Sequence, residues 1–219
     1  MLRVRAARGA HSSLDKDMDK KKLILGGLIA VVVLAIAGAE MFVQAYKFRG
    51  SVIDPPVAAS NFTLKDQNEQ TFQLGDQRGK IVLMFFGYTN CPDICPTTLL
   101  QFKQARAQLG NQAERVRFVF VTVDPERDTA DKMKTYLGAI DPGIIGLTGS
   151  QAELETVWKA YGVYRQKQSG QSPDEYADLI EHSGRVYLID TQGNLRLTYP
   201  FGLAPEDVVQ DVTYLLKQK

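Results

Sequence analysis

The sequence predicts an α/β fold, a central mixed β-sheet flanked by helices, in one body preceded by a single transmembrane helix. Three observations predict it. Residues 81–88 (IVLMFFGY) and 116–123 (VRFVFVTV) are apolar runs with the length of strands buried on both faces. Segments of helical period alternate with them, over residues 97–109, 129–137 and 151–161. Residues 23–39 (LILGGLIAVVVLAIAGA) hold seventeen positions without a charge.

Taken in order, residues 1–22 form a basic leader. Seven Lys/Arg stand against Asp15, Asp17 and Asp19, a local charge of +4 in a chain whose net charge is +1. The remaining 197 residues carry 19 basic and 22 acidic groups. The apolar run extends through residue 43, interrupted only by Glu40. Twenty-one helical residues span about 30 Å, the thickness of a hydrocarbon core. Ala37-Gly38-Ala39 also fits a signal-peptidase site. The charged leader and the length of the run favour an uncleaved anchor over residues 23–43. Its basic end belongs in the cytoplasm and the body outside, by the positive-inside rule. That places the body beyond a bacterial plasma membrane, or at the mitochondrial inner membrane of a eukaryotic chain.

Residues 44–60 read as a linker, because Pro55-Pro56 removes two backbone donors and fixes φ. The body is expected over residues 61–219, long enough for one sizeable core. It opens with a hairpin, residues 62–65 and 70–74 around Asp66-Gln67-Asn68-Glu69. The buried strand 81–88 follows. Leu99, Phe102 and Leu109 then recur at helical spacing over residues 97–109, with Gly110 as a stop. After the strand 116–123 come the helix 129–137, a short strand over 143–147, and the helix 151–161 ended by Gly162. Residues 162–167 are a candidate strand. Residues 186–190 and 195–199 flank Thr191-Gln192-Gly193-Asn194, a second hairpin. Residues 205–217 close the chain as an amphipathic helix with Pro205 in its first turn.

Composition narrows function. With 44% hydrophobic and 23% charged residues the chain is globular rather than disordered. Two cysteines make neither a disulfide-rich scaffold nor a four-cysteine zinc site. A net charge of +1 argues against nucleic acid as partner.

Chemistry concentrates in Cys91-Pro92-Asp93-Ile94-Cys95-Pro96, between a buried strand and a helix. Parallel sheets place their ligands at such junctions, and a helix N-terminus favours thiolate. A structural disulfide, a redox pair and a metal dithiol are the three readings. Crosslinking so short a loop stabilises by only about 2 kcal/mol, which favours the latter two. His182 is the only histidine of the body, since His11 lies in the leader. A lone histidine is commonly a bland one. With one dithiol and one imidazole, however, a soft metal has a ligand set that suits Cu(I), whereas Zn(II) wants a fourth ligand. Met84 and Met133 are the only methionines of the body and do not make a methionine-rich copper site. Asp124–Thr129 follows the second buried strand, with Asp128 or Thr129 placed to cap the next helix. Trp158 and Tyr161 read as core.

The chain resembles the Sco/SenC/PrrC family of membrane-anchored copper proteins. Residues 85–96 (FFGYTNCPDICP), 121–129 (VTVDPERDT), His182-Ser183, and 186–190 (VYLID) with Phe201-Gly202 carry the resemblance. It implies a thioredoxin-like fold with an added N-terminal β-hairpin. It implies copper, as Cu(I) or Cu(II), bound by Cys91, Cys95 and His182. It implies a copper chaperone that delivers copper to, or reduces, the dinuclear copper centre of cytochrome c oxidase subunit II. Other copper chaperones or thioredoxin-like reductants are the further partners it implies, with membrane lipid around the anchor. A thiol–disulfide oxidoreductase using Cys91 and Cys95 is the alternative. One departure is visible: where the family usually has Asp before the histidine and an aromatic four positions before it, this chain has Glu181 and Asp178, with Tyr176 displaced. Charge is kept at Glu181, but not its reach.

Overall fold

The computed structural model describes residues 25–33, 46–167 and 179–218. By its contacts the chain divides into two units, residues 1–47 and 48–219. In the first, residues 25–33 form an exposed helix. No helix among the described residues is long and apolar enough to cross a membrane. The basic leader, His11 and the other residues of the expected anchor lie outside the described residues.

The second unit is built on an eight-stranded mixed sheet. Its strands are β1 (Ser51–Ala58), β2 (Thr63–Asp66), β3 (Thr71–Gln73), β4 (Ile81–Gly87), β5 (Val116–Thr122), β6 (Ile144–Thr148), β9 (Val186–Ile189) and β10 (Asn194–Tyr199), in the order β1-β10-β9-β4-β5-β6-β2-β3. Two short strands, β7 (Arg165–Lys167) and β8 (Ile180–His182), pair apart from it as an antiparallel ribbon. β4, β5 and β6 run parallel, and β9 pairs antiparallel on the other side of β4. Every residue of β4 is buried, so its unbroken apolar run reflects cover on both faces.

Among the described residues four α-helices flank the sheet: α1 (Ile94–Leu109), α2 (Ala130–Ile140), α3 (Gln151–Ala160) and α4 (Pro205–Lys217). Local signals fix their ends. The Thr129 hydroxyl accepts from the Lys132 N–H at the start of α2. Ser150 and Glu153 form a reciprocal capping box at the start of α3. α4 buries Val208, Val212, Leu215 and Leu216 along one stripe. Trp158 and Tyr161 are core residues, as expected. The indole N–H donates to the Thr122 carbonyl, and the Tyr161 hydroxyl to the Ser60 carbonyl.

The expected linker over 44–60 is corrected: the body begins at Phe48 rather than residue 61. β1 is an edge strand on β10. Ser51 and Val52 pair with Thr198 and Leu197, Val57 and Ala58 with Leu195 and Asn194, and the register breaks between the two halves. Pro55 and Pro56 fall in that break. An edge strand tolerates lost donors that a central strand does not, so the prolines exclude only the latter. The backbone N–H groups of Arg49 and Gly50 donate to the buried Asp211 carboxylate, which ties this stretch to α4.

Candidate metal centre

Cys91 and Cys95 sit where the backbone leaves the centre of the sheet. β4 ends at Gly87, Tyr88 and Thr89 turn the chain, and the Cys91 N–H donates to the Tyr88 carbonyl at 3.3 Å. α1 starts at Ile94, one turn before the position that its apolar spacing predicts. Cys95 therefore lies in its first turn, where Pro96 is tolerated because the N–H it lacks has no helical partner. Cys95 is fully buried and Cys91 half-buried, and both are free thiols. Gly87 is required at this point. A Cβ there would stand 2.7 Å from the Cys95 Sγ and 2.7 Å from the Phe120 ring.

His182 arrives from another direction. It is the last residue of β8 and pairs with Arg165 of β7, rather than opening the β9–β10 hairpin as its sequence position suggests. Its Nε2 lies 3.5 Å from the Cys95 Sγ, and its Nδ1 lies 3.2 Å from the Ser183 carbonyl oxygen. With the proton on Nδ1, donated to that carbonyl, the ring turns its Nε2 lone pair toward a metal, and with the proton on Nε2 it donates to the sulfurs. The imidazole stands edge-on against Tyr88 and Phe85, with ring centroids 5.7 and 6.1 Å away. The Tyr88 hydroxyl accepts from the Ile180 N–H at 3.2 Å, which holds β8 to the turn carrying the dithiol. The donor atoms of Cys91, Cys95 and His182 all lie within 4.8 Å of one another. A cavity of about 270 Å³ opens onto them, lined by Pro92, Ile94, Leu179 and Ile180, among others.

The two thiols are electrostatically unlike. Cys91 is drawn down to about 4 by a hydrogen bond from the Cys95 side chain, helped by His182 and by the N–H groups of Asp93 and Cys95, against partial burial. Cys95 is pushed well above the usual thiol range, first by burial and then by its neighbour Cys91. Without a ligand the pair is thus one thiolate, Cys91, accepting from one thiol, Cys95.

Two contributors escaped the sequence reading. Asp128 does not cap α2, since Thr129 does. Its carboxylate is buried and accepts from the Thr89 N–H, the Thr89 hydroxyl and the Thr122 hydroxyl. An Asp-Pro-x-x-Asp loop following a buried strand is the signal that could have marked it. The apolar run places Tyr88 at the end of a strand, but it stands in the turn after β4, where its hydroxyl can reach the Ile180 N–H. Glu181 is exposed at the rim of the cavity, whereas Asp178 and Tyr176 lie outside the described residues.

A family model described as SCO1/SenC matches residues 52–217. The chain belongs to the SCO1/SenC family. The match begins inside β1, nine residues before the start that the prolines suggest. The bovine mitochondrial protein SCO2 homolog is 32% identical over 192 residues, covering 84% of this chain and 71% of the relative. The solved structure of Bradyrhizobium japonicum ScoI with copper bound is 36% identical, with a TM-score of 0.66, covering 73% of this chain and 99% of that one. Yeast Sco1 with copper bound is 28% identical, with a TM-score of 0.66, over 75% of this chain and 91% of that one. The SCO1/SenC fold here is the thioredoxin-like α/β fold: a mixed sheet with helices on its faces.

Proposed function

We propose that this chain is a membrane-anchored copper chaperone that holds copper through Cys91, Cys95 and His182. Its target is the dinuclear copper centre of cytochrome c oxidase subunit II, which it loads or reduces. The observation that carries this reading is the convergence of two sulfurs and one imidazole nitrogen, from two separate elements, within 4.8 Å. Copper-bound Sco relatives of the same fold support it.

The donor set fits the metal. Two thiolates and an imidazole are soft to intermediate donors and suffice for low-coordinate Cu(I). Cu(II) would take a further oxygen ligand or water from the open cavity. Cys91 meets the metal already ionised, and Cys95 releases its proton as the metal enters. A three-coordinate site leaves room for a ligand from the acceptor, so copper can pass by stepwise exchange without being released free. Residues 23–43 act as the anchor, with the leader on the cytoplasmic side, and so concentrate the domain at a membrane partner.

Anaerobic titration of the full chain in detergent with Cu(I) tests this. One copper per chain, and binding greatly weakened in His182→Ala, is the expected result. Equal affinity in wild type and His182→Ala overturns the proposed ligand set.

A second reading draws on the unequal thiols. A low-pKa, half-exposed Cys91 and a buried Cys95 are the arrangement of an attacking and a resolving thiol in a thiol–disulfide oxidoreductase. That activity requires Cys95 and survives His182→Ala, which separates it from copper binding.

A further inference from the structure

The ribbon that carries His182 reaches into the main body through the side chain of Arg165. Arg165 stands opposite His182 in the β7–β8 ladder. Beside that pair the Tyr164 N–H donates to the Ser183 hydroxyl at 3.0 Å, and the Ser183 N–H to the Tyr164 carbonyl at 3.2 Å. A two-stranded ribbon of three residues a side has little stability of its own, so its position depends on what it is tied to. The Arg165 Nε–H donates to the Val123 carbonyl, just past the end of β5, and the guanidinium lies over the Trp158 ring, 5.0 Å from its centroid. Both partners are fixed. Val123 is fully buried and its N–H donates to the Gly87 carbonyl at 2.8 Å. Trp158 is buried, with its indole N–H on the Thr122 carbonyl at 3.1 Å. Gly87 is the residue packed against the Cys95 sulfur. A short path therefore runs from the strand of the imidazole, through Arg165 and Val123, to the backbone beneath the dithiol. Farther along β7 Lys167 pairs with Glu126, but both are exposed, and such a pair contributes little.

We propose that Arg165 is a positioning residue: its guanidinium pegs the β7–β8 ribbon to Val123 and Trp158, and so holds the His182 nitrogen at a distance from the sulfurs that one copper ion can span. The inference rests on the copper reading above and adds to it a residue that is not a ligand. A peg on the strand of one ligand acts on the metal through that ligand alone. Its effect on copper therefore vanishes when the ligand is removed, whereas a general loss of stability persists.

The experiment is a double-mutant cycle on Cu(I) affinity, measured on the full chain in detergent by competition with a chromophoric chelator. Arg165→Met keeps an apolar stem and removes the guanidinium. It should weaken Cu(I) by about tenfold, the lower end of the effect for a residue behind a ligand, and by no more than His182→Ala does. In the His182→Ala background the same substitution should change nothing. Wild-type affinity in Arg165→Met overturns the proposal, as does an equal loss in both backgrounds. If Arg165→Met does not fold, Arg165→Gln, which also gives up the guanidinium over the indole, replaces it in the same cycle, and the same outcomes support or overturn the role. A second readout needs no metal. Hydrogen exchange at the amides of residues 180–183 in the apo-protein should quicken in the Arg165 variant while β4 keeps its protection, and unchanged exchange at the ribbon overturns the peg. A wild-type chain that binds no copper defeats the copper reading itself, and the exchange measurement still decides whether Arg165 holds the ribbon.

Discussion

The dithiol and the imidazole are mounted very differently. Cys91 and Cys95 follow β4, the most buried strand of the sheet, and are held by Gly87 below, Phe120 beside and Asp128 behind. His182 ends a three-residue strand that pairs with β7, outside the eight-stranded sheet. Its ties to the body include the buried Ile180, the Tyr88 hydroxyl and ring contacts to Tyr88 and Phe85. The sulfurs are fixed from the main sheet, and the nitrogen from a separate ribbon. For a carrier this difference matters. A ligand on a separate ribbon can be surrendered to an acceptor while the dithiol keeps its geometry.

The largest expected effect breaks the strong side. Cys95→Ser should weaken Cu(I) by more than about 100-fold, beyond the range for removing a residue behind a ligand. Competition with a chromophoric Cu(I) chelator measures it. His182→Ala should leave more residual binding than Cys95→Ser, and equal losses would erase the distinction between the two mounts. Next comes the inequality within the dithiol. Alkylation of the apo-protein at neutral pH should modify Cys91 and spare Cys95. Raising the pH through the ordinary thiol range should not speed Cys91 labelling, because with a pKa of about 4 its thiolate is already complete well below that range. As pH falls through that value Cys91 takes up its proton and labelling should fade. In the unfolded chain labelling should rise with pH toward the free-thiol value of about 8.5. Mass spectrometry of labelled peptides reads both.

A smaller effect is expected at the glycine beneath Cys95. Gly87→Ala forces a Cβ against the Cys95 sulfur and the Phe120 ring, and overpacking of that kind costs roughly 1–3 kcal/mol. Thermal melting should fall by a few degrees for each kcal/mol in a body of this size. A change of similar size tests the ribbon side. Tyr88→Phe removes the acceptor of the Ile180 N–H, at a cost of about 1–3 kcal/mol for the orphaned buried donor. Copper should transfer faster to a chelator while Cys91 labelling stays as in wild type. Slower labelling of Cys91 in that variant would show that the two mounts are coupled.

The dense side of the molecule was the legible one. β4 and β5 announce themselves as apolar runs, and α4 runs over the residues its pattern predicts, because burial on both faces or along one stripe leaves a mark on composition. β1 was hidden by its prolines, which an edge strand tolerates at a break in register. The β7–β8 ribbon was hidden by its length, since three residues cannot establish an alternation. Asp128 was hidden because a buried acceptor and a helix cap use the same residue type at the same place in a loop.

The sequence by itself determined the ligand candidates. Beyond the leader it offers one dithiol and one imidazole, so the scarcity of cysteine and histidine left little to choose among. Only the tertiary structure decided that a separation of 87 positions closes into a 3.5 Å contact between Cys95 and His182. It also decided that one sulfur is buried while the other faces an open cavity. The physical reason is that composition limits which donors exist, whereas distance, desolvation and field depend on which elements pack together, and no local pattern records that.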